Sequence, residues 1–372
     1  MPKIGQWPIF LTDTEKSAIG RFSGGQDGEP EGAQGLRGSV GGSLGGMRAV
    51  IVETPGDVDA LNIGDVPTPT PGPGEVLVKT VASGVNRADV LQRQGHYPPP
   101  KGASEIIGLE ASGVVESVGE GVQRWKAGDE VVALLEGGGY AEYFVAPEGQ
   151  LITPPPSVDL VSAAGVLEVA ATVLSNLEAG DLKSGETFLV HGGAGGIGTF
   201  ATQYAKALGA TVIATAGSAA KREHCLAHGA DIALDYHEDW VEGVKAATEG
   251  KGADVILDII GAKYLESHVK ALARRGRMVV IGLQGGVKGT LNLGLLLSKQ
   301  ATITATSLRF RPASEKAAIC AAVEQKVWPL LADGTISPSP ETRVPFAEVR
   351  AAHTQLAGGD NVGKIILVHE TE

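Results

Sequence analysis

The chain has 372 residues, of which 20% are charged and 43% hydrophobic, a balance that indicates globular domains with sizeable cores and excludes a disordered protein. Its formal net charge of −12 argues against nucleic-acid binding, because neutralising phosphates requires clustered Lys and Arg. No apolar run is long enough to span a membrane, and Cys225 and Cys320 fit no disulfide framework, so we expect a cytoplasmic protein with neither a membrane nor a nucleic-acid partner.

The first 46 residues differ in composition from the rest of the chain. They are rich in glycine, with scattered Ser, Gln and charged residues, and they show no helical or strand periodicity after Phe10. Such a segment buries too little apolar surface to offset the entropy of ordering it. We therefore predict a disordered N-terminal extension over residues 1–46, with a functional tail as the alternative, and place the start of the folded protein at Met47.

Residues 47–170 contain short apolar segments separated by glycine and proline. These segments predict strands at residues 48–52, 75–82, 111–118, 130–135 and 140–145. Short strands with Gly and Pro between them, and no long helix, are typical of an all-β module of barrel type. An alanine-rich segment at residues 162–177 then predicts a helix that leads into the next domain.

The most informative stretch runs from Thr187 to Gly209. Its first residues predict a buried strand, a turn from Gly192 to Gly198 follows, and apolar residues then recur at helical spacing. In this strand–turn–helix context, the GxGxxG match at Gly193, Gly195 and Gly198 predicts a dinucleotide site, because the turn must be tight and its amides must approach a pyrophosphate. An ordinary glycine-rich loop is the alternative.

Strand and helix signals alternate beyond this turn. Strands are predicted at residues 211–215, 254–258 and 277–281, and a helix at residues 219–227. This alternation predicts an α/β fold with a doubly wound parallel sheet. The remaining chain, residues 309–372, is interpreted as a return to the first domain, with a helix at residues 314–327 and a closing strand at residues 364–368.

The end of the second strand of this unit indicates which nucleotide binds. A free ribose 2′-hydroxyl is usually held there by an acidic residue, but the strand ends in Gly217 and Ser218, with Lys221 and Arg222 following. Hydrogen bonds from Ser218 and Lys221 to a 2′-phosphate would each contribute roughly 1.5–3 kcal/mol. The sequence therefore predicts NADPH. The alternative is that Lys221 and Arg222 only solvate the start of a helix.

Several further segments carry a family resemblance. Residues 86–100 (NRADVLQRQGHYPPP), residues 106–115 (IIGLEASGVV) and the turn GGAGGIG are similar, in this order, to the medium-chain dehydrogenase/reductases, and most of all to their zinc-free quinone oxidoreductase branch. The resemblance covers residues 47–368. It implies a GroES-like β-barrel domain formed by residues 47–170 and 309–372, with a Rossmann domain over residues 171–308.

The resemblance also implies an activity. The expected protein is an NADPH-dependent enzyme that reduces a small-molecule quinone in the cleft between its domains, usually as a homodimer that pairs through a strand at residues 301–306. Reduction of α,β-unsaturated carbonyls is the alternative activity. A non-catalytic, NADPH-binding structural or RNA-binding protein is the alternative from another class, and the acidic composition argues against its RNA-binding form.

Two departures from the family's alcohol dehydrogenases concern zinc. Those enzymes carry a His in a GHE motif where this chain has Gly108-Leu109-Glu110, and their first zinc cysteine falls near Val85-Asn86, where this chain has none. A catalytic zinc needs three protein ligands, commonly Cys and His. We therefore predict no metal, and expect proximity and orientation over the nicotinamide to supply most of the catalysis. His191 is interpreted as packed rather than catalytic.

The resemblance assigns roles to individual residues. Asn86 and Tyr97 are expected to line the cleft beside the nicotinamide, with Tyr97 donating to the substrate oxygen; packing before Pro98 is the alternative for Tyr97. Asp89 is expected to orient its neighbours. The cofactor-binding residues taken from the turn, the second strand and the resemblance are Thr172, Gly193, Gly195, Gly196, Ile197, Gly198, Gly217, Ser218, Lys221, Tyr236, Gly282, Leu283, Ser307, Leu308, Arg309 and Asn361.

Overall fold

The computed structural model of the protein describes residues 45–359 and 361–370. The predicted N-terminal extension lies outside the described residues except for Gly45 and Gly46, and Gly46 already begins the first strand.

The chain up to residue 180 consists mainly of strands. They are β1 (Gly46–Ile51), β2 (Asn62–Pro67), β3 (Glu75–Val85), β4 (Glu110–Val118), β5 (Glu130–Leu134), β6 (Tyr143–Pro147) and β7 (Leu151–Ile152). The helices in this part are α1 (Arg87–Arg93), α2 (Leu160–Ala163) and α3 (Leu167–Ala179).

From residue 187 onward strands and helices alternate. The strands are β8 (Thr187–His191), β9 (Thr211–Ala216), β10 (Ile232–Asp235), β11 (Ala253–Asp258), β12 (Leu272–Val280), β13 (Thr302–Ala305), β14 (Glu341–Pro345) and β15 (Lys364–Val368). The helices are α4 (Gly196–Ala207), α5 (Ala219–Ala227), α6 (Trp240–Ala247), α7 (Leu265–Ala271), α8 (Leu293–Lys299), α9 (Ala313–Lys326), α10 (Trp328–Ala332) and α11 (Val349–Gly358).

Within the described residues the strands form three sheets. Strands β1 and β2 make an antiparallel pair, and a mixed sheet has the order β14-β15-β3-β4-β5-β7, with β6 also paired to β3. The third sheet is entirely parallel, in the order β10-β9-β8-β11-β12-β13. Its order reverses between β8 and β11, which is where ligands bind in open parallel sheets, at the carboxyl ends of the strands.

The central strand of the parallel sheet is apolar because both of its faces are covered. Phe188 and Val190 face one core together with residues of α3 and α4, whereas Leu189 faces a second core together with Trp240 of α6. The predicted strand, glycine turn and helix are therefore observed as β8, the turn and α4. The turn lies at the carboxyl edge of the sheet.

The prediction of a single helix at residues 162–177 is wrong. The structure has two helices, α2 and α3, with a break around Gly165. A Cβ atom on Gly165 would lie 2.8 Å from Cγ of Lys364 and 3.2 Å from Cδ1 of Ile366. The chain bends at this point because the glycine packs directly against β15, and an alanine-rich composition gives no signal of that long-range contact.

The last part of the chain divides between the two cores. Helices α9 and α10 contribute Ile319, Val323 and Trp328 to the core that also contains α3 and α4. Strands β14 and β15 instead join the mixed sheet beside β3. The chain therefore re-enters the β-rich part at β14, and the boundary predicted between residues 170 and 171 falls inside α3.

Candidate active site

The glycine turn has one packed face and one open face. A Cβ on Gly198 would collide with the carbonyl oxygen of Gly192, and one on Gly193 would lie 2.8 Å from Cβ of Ala214 in β9. On Gly195, by contrast, a Cβ would meet nothing closer than that same carbonyl oxygen, at 3.5 Å. Gly195 is also the N-cap of α4, so the open face is the start of a helix whose free amides attract anions.

The C-terminal tail crosses this turn. The amide of Gly363 donates to the carbonyl oxygen of Ala194 at 2.8 Å, and the side-chain amide of Asn361 donates to the carbonyl oxygen of Gly363 at 2.9 Å. Gly363 has φ of +71°, and a Cβ there would collide with the carbonyl oxygen of Pro340. Only glycine fits this crossing point, and it places Asn361 beside the turn.

The end of β9 carries the polar groups predicted for a 2′-phosphate. Ser218 is the N-cap of α5, and its Oγ accepts a hydrogen bond from the amide of Lys221 at 3.3 Å. The ammonium of Lys221 donates to the carbonyl oxygen of Gly359 at 2.6 Å. Arg222, in contrast, is paired with the carboxylate of Asp235. Of these two cations, Arg222 is paired with a carboxylate, whereas Lys221 contacts only a neutral carbonyl oxygen.

Tyr236 lies on Gly217 at the end of β9. A Cβ on Gly217 would collide with the phenol group of Tyr236. The ring of Tyr236 is 40% exposed, so it forms a surface beside the turn rather than part of the core. The two residues that the sequence assigned separately to the adenosine end of the cofactor are therefore in contact with each other.

A second wall of the site is a buried cluster of charged and amide groups, which we name the lysine cluster: Asn86, Glu110 and Lys364. The Lys364 ammonium lies 2.5 Å from Oε1 of Glu110 and 2.6 Å from Oδ1 of Asn86. The Asn86 amide in turn donates to Glu110 Oε1 at 3.0 Å. The exposed fractions of these residues are 9%, 0% and 5%.

The lysine cluster is continuous with the glycine turn. A Cβ on Gly196 would lie 3.4 Å from Cδ of Lys364, so the lysine stem packs against the first residue of α4. Asn86 also begins α1, where its backbone amide donates to Oδ2 of the fully buried Asp89 at 2.7 Å. Burial raises the pKa of Asp89 to about 7, opposed by that amide bond and by the Lys364 charge.

Glu168 and Thr172 extend the lysine cluster along α3. The Glu168 amide donates to Oε2 of Glu110 at 3.0 Å, and the Thr172 hydroxyl donates to Oε1 of Glu168 at 3.1 Å. Burial raises the pKa of Glu168 to about 7; the Lys364 charge opposes this shift and the Glu110 charge adds to it. Glu168 therefore changes charge near neutral pH.

Tyr97 reaches across to the loop that follows β13. Its hydroxyl lies 3.3 Å from Oγ of Ser307, and its ring meets that of Phe310 edge-on at 5.5 Å between centroids. Burial raises the pKa of the Tyr97 phenol, so it remains protonated at neutral pH. The buried Arg309 guanidinium holds this contact by donating to the carbonyl oxygen of Tyr97 at 3.2 Å and to Oε1 of Gln92 at 2.7 Å.

Two family models match this chain. One, described as an alcohol dehydrogenase GroES-like domain, covers residues 72–156, and the other, described as a zinc-binding dehydrogenase, covers residues 196–323. A quinone oxidoreductase of Pseudomonas aeruginosa is 35% identical over 317 residues, which is 84% of this chain and 97% of that protein. Quinone oxidoreductase 1 of Escherichia coli is 34% identical over 304 residues, covering 80% of this chain and 92% of that protein.

The chain belongs to the medium-chain dehydrogenase/reductases, in their quinone oxidoreductase branch. Solved structures agree with this. A quinone oxidoreductase of Pseudomonas syringae has a TM-score of 0.78 at 32% identity, covering 87% of this chain and 99% of that one. The E. coli quinone oxidoreductase complexed with NADPH has a TM-score of 0.76 at 29% identity, with the same coverage. The predicted GroES-like and Rossmann fold class is thereby confirmed.

The structure brings most of the predicted site of this medium-chain reductase together. The glycine turn, Asn361, the lysine cluster and Thr172 are connected by the contacts above, and Tyr97 meets the segment Ser307–Arg309. Gly282 lies at the same edge of the sheet, where its amide donates to the carbonyl oxygen of Asp258 at 3.3 Å. Leu283 is 51% exposed there.

Sequence reasoning missed three side chains of this site. Lys364 and Glu168 were not assigned a role, and Arg309 was named only as a cofactor-binding residue, whereas its guanidinium connects the loop after β13 to Gln92 and Tyr97. The one available signal was Lys364 itself, because a lysine at the start of the apolar strand KIILV must be either exposed or paired. His191 is 1% exposed, in agreement with a packed role.

Between residues 45 and 370, leaving out residue 360, no three His, Cys, Asp or Glu side chains are grouped in a way that would hold a metal ion. Over the same residues, no helix has the length and apolar character needed to cross a membrane.

Proposed function

We propose that this medium-chain reductase is an NADPH-dependent quinone oxidoreductase that works without zinc. The observation that carries the proposal is the 3.3 Å contact between the Tyr97 hydroxyl and Ser307 Oγ. It brings a phenolic hydrogen-bond donor from the β-rich part to the carboxyl edge of the parallel sheet, where a dinucleotide binds in this fold. The names of the P. aeruginosa and E. coli relatives support a quinone as substrate.

The residues of the turn and of the sheet edge fit the cofactor. The open face at Gly195 leaves room for a pyrophosphate at the start of α4. Ser218 and Lys221 are proposed to bind the 2′-phosphate, for which the Lys221 ammonium would exchange its contact with the Gly359 carbonyl oxygen. When bound, NADPH supplies the hydride. The remaining residues proposed to hold it are Thr172, Gly193, Gly196, Ile197, Gly198, Gly217, Tyr236, Gly282, Leu283, Ser307, Leu308, Arg309 and Asn361.

The chemistry asked of the protein side chains is modest. Reducing a quinone places negative charge on its oxygens, and a positioned hydrogen-bond donor stabilises that charge. The Tyr97 phenol is this donor, and its raised pKa keeps its proton in place. The side-chain oxygen of Asn86 accepts from Lys364 and its side-chain nitrogen donates to Glu110. Asn86 is therefore held in one orientation and fixes the shape of the cleft wall.

The lysine cluster supports a zinc-free site. Asn86 lies near the position of the first zinc cysteine of the alcohol dehydrogenases, and Glu110 directly follows Leu109, which stands where their GHE motif has its histidine. Here the Lys364 ammonium lies between Asn86 and Glu110 and supplies the positive charge that Glu110 requires. Elemental analysis of the purified protein, together with activity after dialysis against a chelator, tests this. Stoichiometric zinc, or loss of activity with the chelator, would contradict it.

The activity is tested by the steady-state oxidation of NADPH with a panel of simple quinones. Turnover with at least one of them is expected, and no turnover with any would overturn the proposal. Enones in the same assay compete if the cleft prefers α,β-unsaturated carbonyls. Tight NADPH binding without turnover of either class would favour a non-catalytic protein.

We also propose a cytoplasmic homodimer. Strand β13 is the outer strand of the parallel sheet, and unpaired edges are sites for pairing with another chain. Beside it, Leu293 and Leu297 of α8 are 68% and 78% exposed, which is unusual for neighbouring leucines unless a partner covers them. Cys225 and Cys320 are both free thiols, which suits a reducing compartment. Light scattering coupled to gel filtration tests the dimer, and a monomeric mass would contradict it.

A further inference from the structure

Four polar side chains form a buried row directly behind the glycine turn. They are Thr215 of β9, His191 of β8, His268 of α7 and Asp258 of β11, and none is more than 1% exposed. Thr215 Oγ1 lies 2.9 Å from Nδ1 of His191, and the Nε2 atoms of the two imidazoles are 2.9 Å apart. Nδ1 of His268 lies 3.6 Å from Oδ2 of Asp258, an electrostatic contact that is too long for a hydrogen bond. We name these four residues the histidine row.

The carboxylate at one end sets the direction of every hydrogen bond in the row. A lone pair of His268 Nδ1 facing Asp258 would be repelled, so this nitrogen carries the proton. His268 Nε2 is then an acceptor, His191 Nε2 must be the donor, and the Thr215 hydroxyl donates to His191 Nδ1. Both imidazoles are neutral in this arrangement. Burial lowers the pKa of His191 far below its usual range and that of His268 to about 4.

The row joins the ends of three neighbouring strands, β9, β8 and β11. His191 immediately precedes the glycine turn, and Thr215 precedes Ala216, Gly217 and Ser218. Asp258 holds the next turn with its side chain, which accepts from the amides of Ile260 at 2.7 Å and Gly261 at 3.0 Å. The turns after β8, β9 and β11 are therefore each connected to a member of the histidine row: His191, Thr215 and Asp258, respectively.

Asp258 also reaches the nicotinamide side of the site. Its carbonyl oxygen accepts from the amides of Ile281 at 2.8 Å and Gly282 at 3.3 Å. The row is closed off from solvent by aromatic rings, since Trp240 and Tyr264 lie 4.8 Å and 5.2 Å from the His191 ring. A buried polar chain with every hydrogen bond directed the same way holds its members more rigidly than separate pairs would.

We infer that the histidine row is a positioning network for the cofactor, in which His268 and Thr215 fix the spacing between the turns after β8 and β9 and, through Asp258, the segment at Gly282. This inference rests on the proposed function. It assigns a role to side chains that do not touch the cofactor or the substrate. Breaking the row should therefore weaken NADPH binding and leave the quinone side of the cleft unchanged.

The test uses three variants that break the row at different points. H268N keeps a polar group near Nδ1 and removes the contact with His191, H268Q does the opposite, and T215V removes only the terminal hydroxyl without changing the side-chain shape. H369N is the control, because His369 is also buried, at 5% exposure, but bonds to Ser83 in the mixed sheet. The NADPH dissociation constant is measured by fluorescence titration, and the melting temperature of each protein without NADPH is measured in parallel.

We expect H268N to raise the NADPH dissociation constant about tenfold, as for the loss of one hydrogen bond. H268Q and T215V each disturb only one end of the row, and we expect a rise of about threefold for each. The quinone KM at saturating NADPH should stay within about twofold of the wild-type value. H369N should leave the NADPH dissociation constant unchanged even if it lowers the melting temperature. If the wild-type protein binds NADPH and all three row variants bind it equally well, the inference is overturned and the proposed function stands. If the wild-type protein binds no NADPH, the proposed function is overturned as well.

A spectroscopic measurement on the wild-type protein is independent of any variant's folding. Nitrogen-15 NMR of the histidine rings reports which ring nitrogen carries the proton. The inference requires a proton on Nε2 of His191 and on Nδ1 of His268. The opposite pair of tautomers, or a charged ring at neutral pH, would overturn the directed row.

Discussion

The two walls of the cleft are built in opposite ways. The nucleotide wall, around Gly195 and Gly198, comes from one contiguous stretch of sequence and offers backbone groups and close packing. The second wall, which meets the first at Gly196, is the lysine cluster; it brings together Asn86, Glu110 and Lys364 from distant parts of the chain and offers buried charge. Steric fit should therefore limit which substitutions the first wall accepts. In the second wall, the balance of buried charge should set that limit.

The largest expected effect comes from unbalancing the lysine cluster. K364M leaves the Glu110 carboxylate buried without its cation, and removing one partner of a buried pair costs about 3–5 kcal/mol in the free energy of unfolding. The double variant K364M/E110Q should recover most of that loss. Urea denaturation measures both.

The control for K364M is an exposed ion pair of similar length. Lys326 and Glu178 are 2.7 Å apart, but their side chains are 51% and 52% exposed. K326M should therefore change the free energy of unfolding by about 0–1 kcal/mol. Equal losses in K364M and K326M would show that burial does not set the importance of the lysine cluster.

At the glycine turn of the nucleotide wall, NADPH binding should be changed by added side-chain atoms and not by the removal of charge. At Gly195, which has φ of −80°, an alanine is sterically acceptable, so G195A should keep the stability of the protein without NADPH. It should nevertheless raise the NADPH dissociation constant on the order of 100-fold, because the methyl group occupies the open face. Fluorescence titration and urea denaturation measure the two quantities.

G198A separates packing from binding on the same wall. Its methyl group would collide with the Gly192 carbonyl oxygen, so this variant should lose stability even without NADPH. If G195A and G198A destabilised the protein equally, the assignment of an open face to the cofactor would be wrong.

Tyr97 contacts the loop after β13 at Ser307 and Phe310, outside both walls, and its hydroxyl is expected to matter for the chemical step. Y97F keeps the edge-on contact with Phe310 and removes the donor to the substrate. We expect kcat with quinones to fall about tenfold to 100-fold, with the NADPH dissociation constant unchanged. Y204F, in a buried tyrosine of α4, should leave kcat unchanged. A Y97F enzyme with full kcat would leave Tyr97 with a packing role only.

The contrast between the walls also explains what the sequence could predict. The glycine turn and the closing strand, residues 364–368, were found because a local pattern specifies them. Strand β2 (NIGDVP) was missed because it is mostly exposed and carries no apolar alternation. The break at Gly165 was missed because its cause, Lys364, lies in the last strand of the chain.

The site shows the same division. Residues in contiguous motifs, such as Gly195 and Ser218, were predicted from local sequence to bind the cofactor, and both lie at the carboxyl edge of the parallel sheet. The pairing of Lys364 with Glu110 and the guanidinium of Arg309 depend on the tertiary fold, because each side chain would be exposed if judged by its local sequence. Which groups neutralise a buried charge is decided by packing between elements and has no local signature.

Cofactor choice tests the nucleotide wall at its one charged point. K221A should raise the dissociation constant of NADPH about tenfold and leave that of NADH nearly unchanged, since one charge-assisted hydrogen bond to the 2′-phosphate is lost. K206A is the control, because Lys206 is exposed and pairs with Asp231 at 2.6 Å. An equal effect of K221A on both nucleotides would show that Lys221 does not read the 2′-phosphate.

The smallest expected effect tests the charge of the second wall through pH. The pKa of Asp89 is raised from 3.8 to about 7 in the folded protein, so the folded state binds a proton more tightly than the unfolded state does. Its contribution to stability is therefore present at low pH and is lost as pH rises through about 7. Between pH 6 and pH 8 this amounts to about 1 kcal/mol for one group.

D89N removes that titration and keeps a side-chain oxygen to accept from the Asn86 amide and the Tyr140 hydroxyl. The difference in the free energy of unfolding between D89N and the wild-type protein should therefore shift by about 1 kcal/mol in favour of D89N from pH 6 to pH 8. Histidines that titrate in the unfolded state cancel in this difference, since both proteins contain them. A pH-independent difference would mean that Asp89 stays ionised in the folded protein, and that the second wall holds more negative charge than Lys364 alone neutralises.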